Sequence, residues 1–104
     1  MTNYHLKKRI DVIVEAPLMR MIANRLDQAN VSGYSVTPVL EGRGMVNAWS
    51  SEGQVGNSAN MIALLCVVDA AVVDGTVDSI LNAIGDRVGF LTVSDVFVVR
   101  PERF

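Results

Sequence analysis

Residues 9–40 read RIDVIVEAPLMRMIANRLDQANVSGYSVTPVL, and the spacing of apolar residues changes twice within this stretch. Over residues 9–15 apolar and other side chains alternate, which predicts a strand with one better-buried face. Over residues 17–33 apolar side chains recur every three or four positions, which predicts a helix that ends at the glycine. Residues 34–40 are rich in β-branched side chains and include Pro38, which predicts an edge strand.

The second half of the chain repeats this order. Residues 61–68 are all apolar, which predicts a strand buried on both faces. A helical stripe follows Asp69, a candidate N-cap, with an irregular first turn, and it stops at Gly85. Residues 90–99 predict a last strand, which Pro101 ends. Two β-α-β units in succession predict an α+β fold, a ferredoxin-like βαββαβ sandwich whose two helices cover one face of four antiparallel strands.

Size and charge exclude several classes of protein. The chain has 104 residues, of which 50% are hydrophobic, so we expect one compact domain spanning residues 1–104. The net charge of -2 gives no general attraction to nucleic acid, and the basic cluster at residues 7–9 is typical of the solvated start of a strand. The longest apolar run is eight residues, whereas a membrane span needs about 20. A single cysteine and no secretory signal predict a cytoplasmic protein.

The connection over residues 41–60 is unusually long for a compact domain. It has no apolar period and holds four of the eight glycines, which predicts a mobile loop that is functional, unless the element boundaries are wrong. Trp49 lies near its middle. This side chain either folds back onto its own chain or a neighbouring one, or it anchors a partner protein.

Three glycine-rich or arginine-bearing segments fall at the predicted ends of elements. Backbone N–H groups and guanidinium groups together can form an anion site. Structural alternatives for the three segments are a flexible hinge, a helix C-cap turn and a solvated tail. The segments are Gly42-Arg43-Gly44, the turn Gly85-Asp86-Arg87-Val88-Gly89, and Arg100 with Arg103.

No credible catalytic set is present in the sequence. His5 is the only histidine and precedes the first predicted strand, so a His-dependent triad or a multi-histidine metal site is not expected. Cys66 lies within an apolar strand and is typical of a core residue. We therefore predict a protein that is not an enzyme and holds no metal or cofactor. A small enzyme that uses Arg43 and Arg87 as clamps for an anionic metabolite remains an alternative.

The segments GYSVTPVLEGRG at residues 33–44 and VVRPERF at residues 98–104 resemble the PII signalling superfamily. The similarity spans nearly the whole chain, and within the superfamily it is closest to the carboxysome-associated PII-like proteins. This resemblance implies a homotrimer with a long mobile T-loop at about residues 41–60. It also implies a site for an adenine nucleotide, ADP or AMP, in each cleft between subunits, and a bicarbonate site near the base of the T-loop.

The resemblance implies roles for individual residues as well. Thr37 would contact adenine, and Trp49 would contact the partner protein. The phosphates would lie between the T-loop base, a B-loop at residues 85–89, and two arginines of the adjacent subunit. The implied nucleotide-binding residues are Thr37, Gly42, Arg43, Gly44, Gly85, Asp86, Arg87, Val88, Gly89, Arg100 and Arg103, and those implied for bicarbonate are Gly42, Arg43 and Gly44.

The implied function is regulation of inorganic-carbon uptake or carboxysome-linked carbon fixation through a bicarbonate transporter or another partner protein. A nitrogen-regulatory PII protein is the alternative within the superfamily. Two departures from the nitrogen-regulatory pattern weigh against it: residues 41–60 contain no tyrosine for uridylylation, and Gly44 replaces a glutamine. Arg87 is also the only cation at residues 85–89, which predicts weaker binding of a triphosphate than by a nitrogen-regulatory PII protein and agrees with a preference for ADP or AMP.

Overall fold

The computed structural model describes residues 2–43, 48–50 and 60–103. Short 3-10 turns precede both helices and follow the last strand. The strands and helices are β1 (His5–Glu15), α1 (Met19–Gln28), β2 (Tyr34–Val39), β3 (Glu41–Arg43), β4 (Ala48–Ser50), β5 (Met61–Val68), α2 (Val73–Ile84) and β6 (Gly89–Val98).

Four strands form one antiparallel sheet in the order β2-β5-β1-β6. In this order each β-α-β unit has one strand of the other unit between its own two strands, which confirms the ferredoxin-like α+β fold. It also confirms that the strand containing Pro38 lies at an edge, where a residue without a backbone N–H is tolerated.

Both helices contribute to one hydrophobic core on a single face of the sheet. Alternate residues of β1 point into this core and are fully buried. They pack in one cluster with apolar residues of β5 and of both helices, which explains the helical stripes in the sequence. The central members are Ile10, Val12, Val14, Ile22, Leu26, Leu64, Cys66 and Ile80.

β5 was expected to be buried on both faces, but within the single chain only the face towards the helices is buried. Leu64, Cys66 and Val68 are buried, whereas Ala63, Leu65 and Val67 are only half-buried. The difference arises because the helices cover only one face. The apolar run therefore leaves apolar surface on the face of the sheet away from the helices.

The first strand begins at His5 rather than at Arg9, and His5 pairs with Val98 of β6. The basic residues that interrupt the apolar alternation stay in the strand because each one has an acidic partner. The ion pairs are Lys7 with Asp69, Lys8 with Asp95 and Arg9 with Asp11.

The start of the second helix is irregular, as expected. A 3-10 turn at Ala70–Val72 leads into α2. Asp69 is the N-cap residue of this turn by position, but its carboxylate makes no cap hydrogen bond and pairs with Lys7 instead. Neither helix in the described part of the chain is long and apolar enough to cross a bilayer.

The long connection contains strands that the sequence did not predict. β3 and β4 pair as a separate antiparallel ribbon, with Gly42 opposite Trp49 and Arg43 opposite Ala48. Such a ribbon is held by backbone hydrogen bonds, so three-residue strands can pair without an apolar period.

Candidate functional site

The predicted site residues lie at two opposite ends of the main sheet. We call one the turn end, where β1 and β2 finish and β5 and β6 begin. It carries the turn at residues 85–89 and the base of the long connection, Gly42 and Asn60. We call the other the pocket end, where β1 begins and β5 and β6 finish. It carries Arg100.

Hydrogen bonds connect neighbouring segments at the turn end. The Ala16 amide donates to the carbonyl of Asn60 at 2.9 Å, which links the end of β1 to the residue before β5. The Val88 amide donates to Glu15 Oε1 at 3.3 Å, which links the turn to β1. The end of β1 therefore contacts both the turn at residues 85–89 and the residue before β5.

The glycines at both ends of the turn at residues 85–89 have structural reasons. Gly85 has φ 57° and ψ -128°, a conformation that is essentially restricted to glycine. A Cβ atom at Gly89 would lie 2.7 Å from Val14 Cγ1 and 3.1 Å from the carbonyl oxygen of Ile13. Part of the pattern that suggested an anion site is therefore explained by the end of α2 and by close packing of β6 on β1.

The base of the long connection lies at the opposite edge of the sheet from that turn. Thr37 is exposed on β2 opposite Ala63, and its side chain belongs to the face away from the helices. Gly42 follows in β3. Two strands separate β2 from β6, so the two edges lie about 14 Å apart at about 4.8 Å per strand.

The pocket end holds a cavity of about 400 Å³ that the sequence did not predict. It lies between the turn after α1, the ends of β5 and β6, and Pro101. Its polar lining includes Lys7, Asn30, Ser32 and Asp69. Asn30 after the helical stripe was the available signal in the sequence, because asparagine tolerates the positive φ with which many helices end, and in the structure its φ is 59°.

Arg100 lies beside this pocket, directly before Pro101. It has φ 66°, which is uncommon for a residue with a Cβ atom. β6 has 10 residues, so its ends lie about 30 Å apart at about 3.4 Å per residue. Within one chain Arg100 therefore cannot meet the turn at residues 85–89.

Some predicted contacts fall beyond the part of the chain that can be described. Gly44 lies outside the described residues, and so do the side chains of Arg43, Trp49 and Arg103. The roles of these residues in binding anions, bicarbonate or a partner stay predictions.

The buried thiol is poorly suited to nucleophilic chemistry. Cys66 is fully buried in the core, and this desolvation, with a smaller contribution from the Asp11 charge, raises the pKa of its thiol to about 11. Asp11 accepts two hydrogen bonds from Arg9, at 2.9 and 3.0 Å, which raise the pKa of the guanidinium. No group of three His, Cys, Asp or Glu side chains that could hold a metal ion occurs among the residues described.

A family model described as nitrogen regulatory protein P-II matches residues 7–103. The chain belongs to the P-II family. The match includes the turn at residues 85–89, the base of the long connection and both C-terminal arginines. It confirms the superfamily that the sequence motifs indicated. A search of curated proteins found no match.

Solved structures of PII-like proteins share the fold over the whole P-II chain. CPII of Thiomonas intermedia K12, bound to ADP, AMP and bicarbonate, is 21% identical with a TM-score of 0.89, and the alignment covers 100% of this chain and 98% of that one. The same protein bound to ADP and bicarbonate is 24% identical with a TM-score of 0.83, covering 100% and 99%. A PII-like signaling protein of Thermus thermophilus is 19% identical with a TM-score of 0.80, covering 98% of both chains.

Proposed function

We propose that this P-II protein is a non-enzymatic sensor that binds ADP or AMP in clefts between the subunits of a homotrimer. Bicarbonate binds near the base of the T-loop, and both ligands together control contact with a partner protein. The regulated process is inorganic-carbon uptake or carboxysome-linked carbon fixation in the cytoplasm. The leading candidate for the partner protein is a bicarbonate transporter.

The distance between the residues predicted to bind the phosphates is the main support for this proposal. The turn at residues 85–89 and Arg100 lie at opposite ends of one subunit, about 30 Å apart. Two copies that place the pocket end of one beside the turn end of the other bring the two groups together. In a shared cleft the turn and Arg100 can therefore contact the same ligand. In a monomer each of them would have to bind a ligand without the other.

Two arguments support these ligands: the way in which guanidinium groups bind oxyanions, and the similarity of this chain to Thiomonas CPII. A guanidinium can bind an oxyanion through two parallel hydrogen bonds, which suits both a phosphate group and the planar bicarbonate ion at Arg43. The structures of Thiomonas CPII contain ADP, AMP and bicarbonate. Gly42 and Gly44, which flank Arg43, allow the backbone to approach such a small anion closely.

Calorimetry of mixed oligomers tests the shared cleft. Arg87→Gln removes the cation at the turn end, and Arg100→Asn removes the one beside the pocket while keeping a residue that tolerates positive φ. Each variant alone should lose ADP binding. After the two are denatured together and refolded, about one site in four should recover, because it combines an intact turn end with an intact pocket end.

Each result of this experiment bears on a different part of the proposal. Recovery in the mixture supports the shared cleft, and loss in each variant without recovery in the mixture would contradict it. Absence of ADP and AMP binding by the wild-type protein would overturn the nucleotide sensor altogether. Bicarbonate is titrated in parallel with Arg43→Ala, and unchanged binding by this variant would move the bicarbonate site away from the T-loop base.

A further inference from the structure

Three backbone amides of the turn at residues 85–89, those of Gly85, Arg87 and Val88, already have acceptors. The Gly85 amide donates to the carbonyl of Leu81 and the Arg87 amide to that of Ile84, both at 3.0 Å. These two bonds complete the end of α2. The Val88 amide is different, because it donates at 3.3 Å to the carboxylate of Glu15, which reaches it from the end of β1.

This contact is chemically equivalent to an anion bound by the turn. A carboxylate oxygen on a backbone N–H makes the same interaction that a phosphate oxygen would make there. The bond is long and lies in an exposed environment, so an incoming anion can displace the carboxylate. The Glu15 carboxylate therefore occupies the position that a ligand oxygen would take at the Val88 amide.

Charge makes this displacement depend on the ligand. Asp86 and Arg87 are exposed side chains of opposite sign, and their charges offset each other. Addition of the Glu15 carboxylate makes the neighbourhood of the Val88 amide negative. Repulsion by a fixed negative charge grows with the charge of the approaching anion, so it acts more strongly on a triphosphate than on a diphosphate or a monophosphate.

We infer that Glu15 is a specificity-determining residue that grades nucleotides by their phosphate charge. It acts as a built-in competing anion at the Val88 amide and shifts selectivity away from ATP and towards ADP and AMP. The inference rests on the proposed function, in which this turn lies against the nucleotide phosphates.

The test uses Glu15→Gln in the full-length protein. The glutamine Oε1 can still accept the Val88 hydrogen bond, so the turn is retained and only the charge is removed. The variant's gain in affinity over the wild type should grow by about threefold with each phosphate added, from AMP through ADP to ATP. Asp78→Asn is the matched control, because it removes an exposed charge in the middle of α2 and should leave all three affinities unchanged.

A second measurement uses inorganic tripolyphosphate and the NMR signal of the Val88 amide. Tripolyphosphate should move this signal at a lower concentration in Glu15→Gln than in the wild type. Glu15→Asp keeps the charge but shortens the side chain, and it should fall between the two. This measurement detects an anion at the turn whether or not the protein binds nucleotides.

The two measurements separate the inference from the proposed function. If the wild type binds ADP but Glu15→Gln gains nothing for ATP over AMP, the role of Glu15 is wrong and the sensor stands. If the wild type binds no nucleotide but tripolyphosphate moves the Val88 signal more readily in Glu15→Gln, the sensor is wrong, and only the competition of Glu15 with anions at the turn is kept. A Val88 signal that responds equally in both proteins would overturn the inference.

Discussion

Gly85 and Gly75 should respond to alanine in opposite directions. Gly85 has φ 57°, where a Cβ atom is strained, so Gly85→Ala should destabilise the protein by about 1–3 kcal/mol. Gly75 lies inside α2, and a Cβ atom there would meet nothing within 4 Å. Gly75→Ala should stabilise the protein by about 0.5–1 kcal/mol, because alanine loses less backbone entropy in a helix. Denaturant unfolding measures both changes.

A second substitution at Gly85 tests the physical cause of the expected loss of stability. A Cβ atom at Gly85 would find its nearest neighbour, the carbonyl oxygen of Asn82, at 4.0 Å, so steric contact cannot contribute. Gly85→Asn should lose about as much stability as Gly85→Ala, because ψ -128° lies outside the left-handed helical region in which asparagine tolerates positive φ. A clearly smaller loss for asparagine than for alanine would contradict this backbone strain as the cause.

At the scale of elements, the pairing of β1 with β6 is supported by the ion pair between Lys8 and Asp95. The two residues lie directly opposite each other, and both side chains remain partly exposed. A double-mutant cycle with Lys8→Met and Asp95→Asn should give a coupling free energy of about 0.2–1 kcal/mol, because water screens such a pair. The coupling should shrink in 1 M salt, where the Debye length is about 3 Å.

A second cycle supplies the control for this pair. Lys8 and Asp78 lie on β1 and α2 and are not an ion pair, so their cycle should give no coupling at either salt concentration. A salt-independent coupling between Lys8 and Asp95 would mean that packing of the long side chains, rather than charge, supports the strand pairing.

At the scale of the whole molecule, apolar surface remains uncovered on the side of the sheet away from the helices. Phe90 lies opposite Ile13 on this face and is 50% exposed. The proposed homotrimer should sediment at three times the chain mass of 11.3 kDa, and packing of its subunits through this face would bury the apolar surface. Phe90→Gln should weaken this assembly.

The control for the assembly prediction is Leu81→Gln. Leu81 is 49% exposed, close to the value for Phe90, but it lies on α2 rather than on the open face of the sheet. It should leave the sedimenting mass unchanged. A wild-type protein that sediments as a single chain would contradict both the trimer and the shared nucleotide cleft.

Local pattern predicts much of this fold because burial on one side imposes a period on the sequence. The alternation of Ile10, Val12 and Val14 predicts β1, and the stripe that stops at Gly85 predicts α2. The start of β1 at His5 could not be predicted, because Lys7 and Lys8 stay in the strand through acidic partners more than sixty residues away in sequence. The ribbon of β3 and β4 has no apolar period to detect.

The candidate site, too, has one part that the sequence predicts and one part that it does not. Its residue types and the family follow from short segments, since guanidinium groups and glycine-flanked turns carry their chemistry locally. Their arrangement does not follow, because strand order and direction are set by long-range packing: the turn at residues 85–89 and Arg100 are separated by the whole length of β6. The contact of Glu15 with the Val88 amide joins residues 73 positions apart, and only the folded sheet brings that carboxylate to the turn.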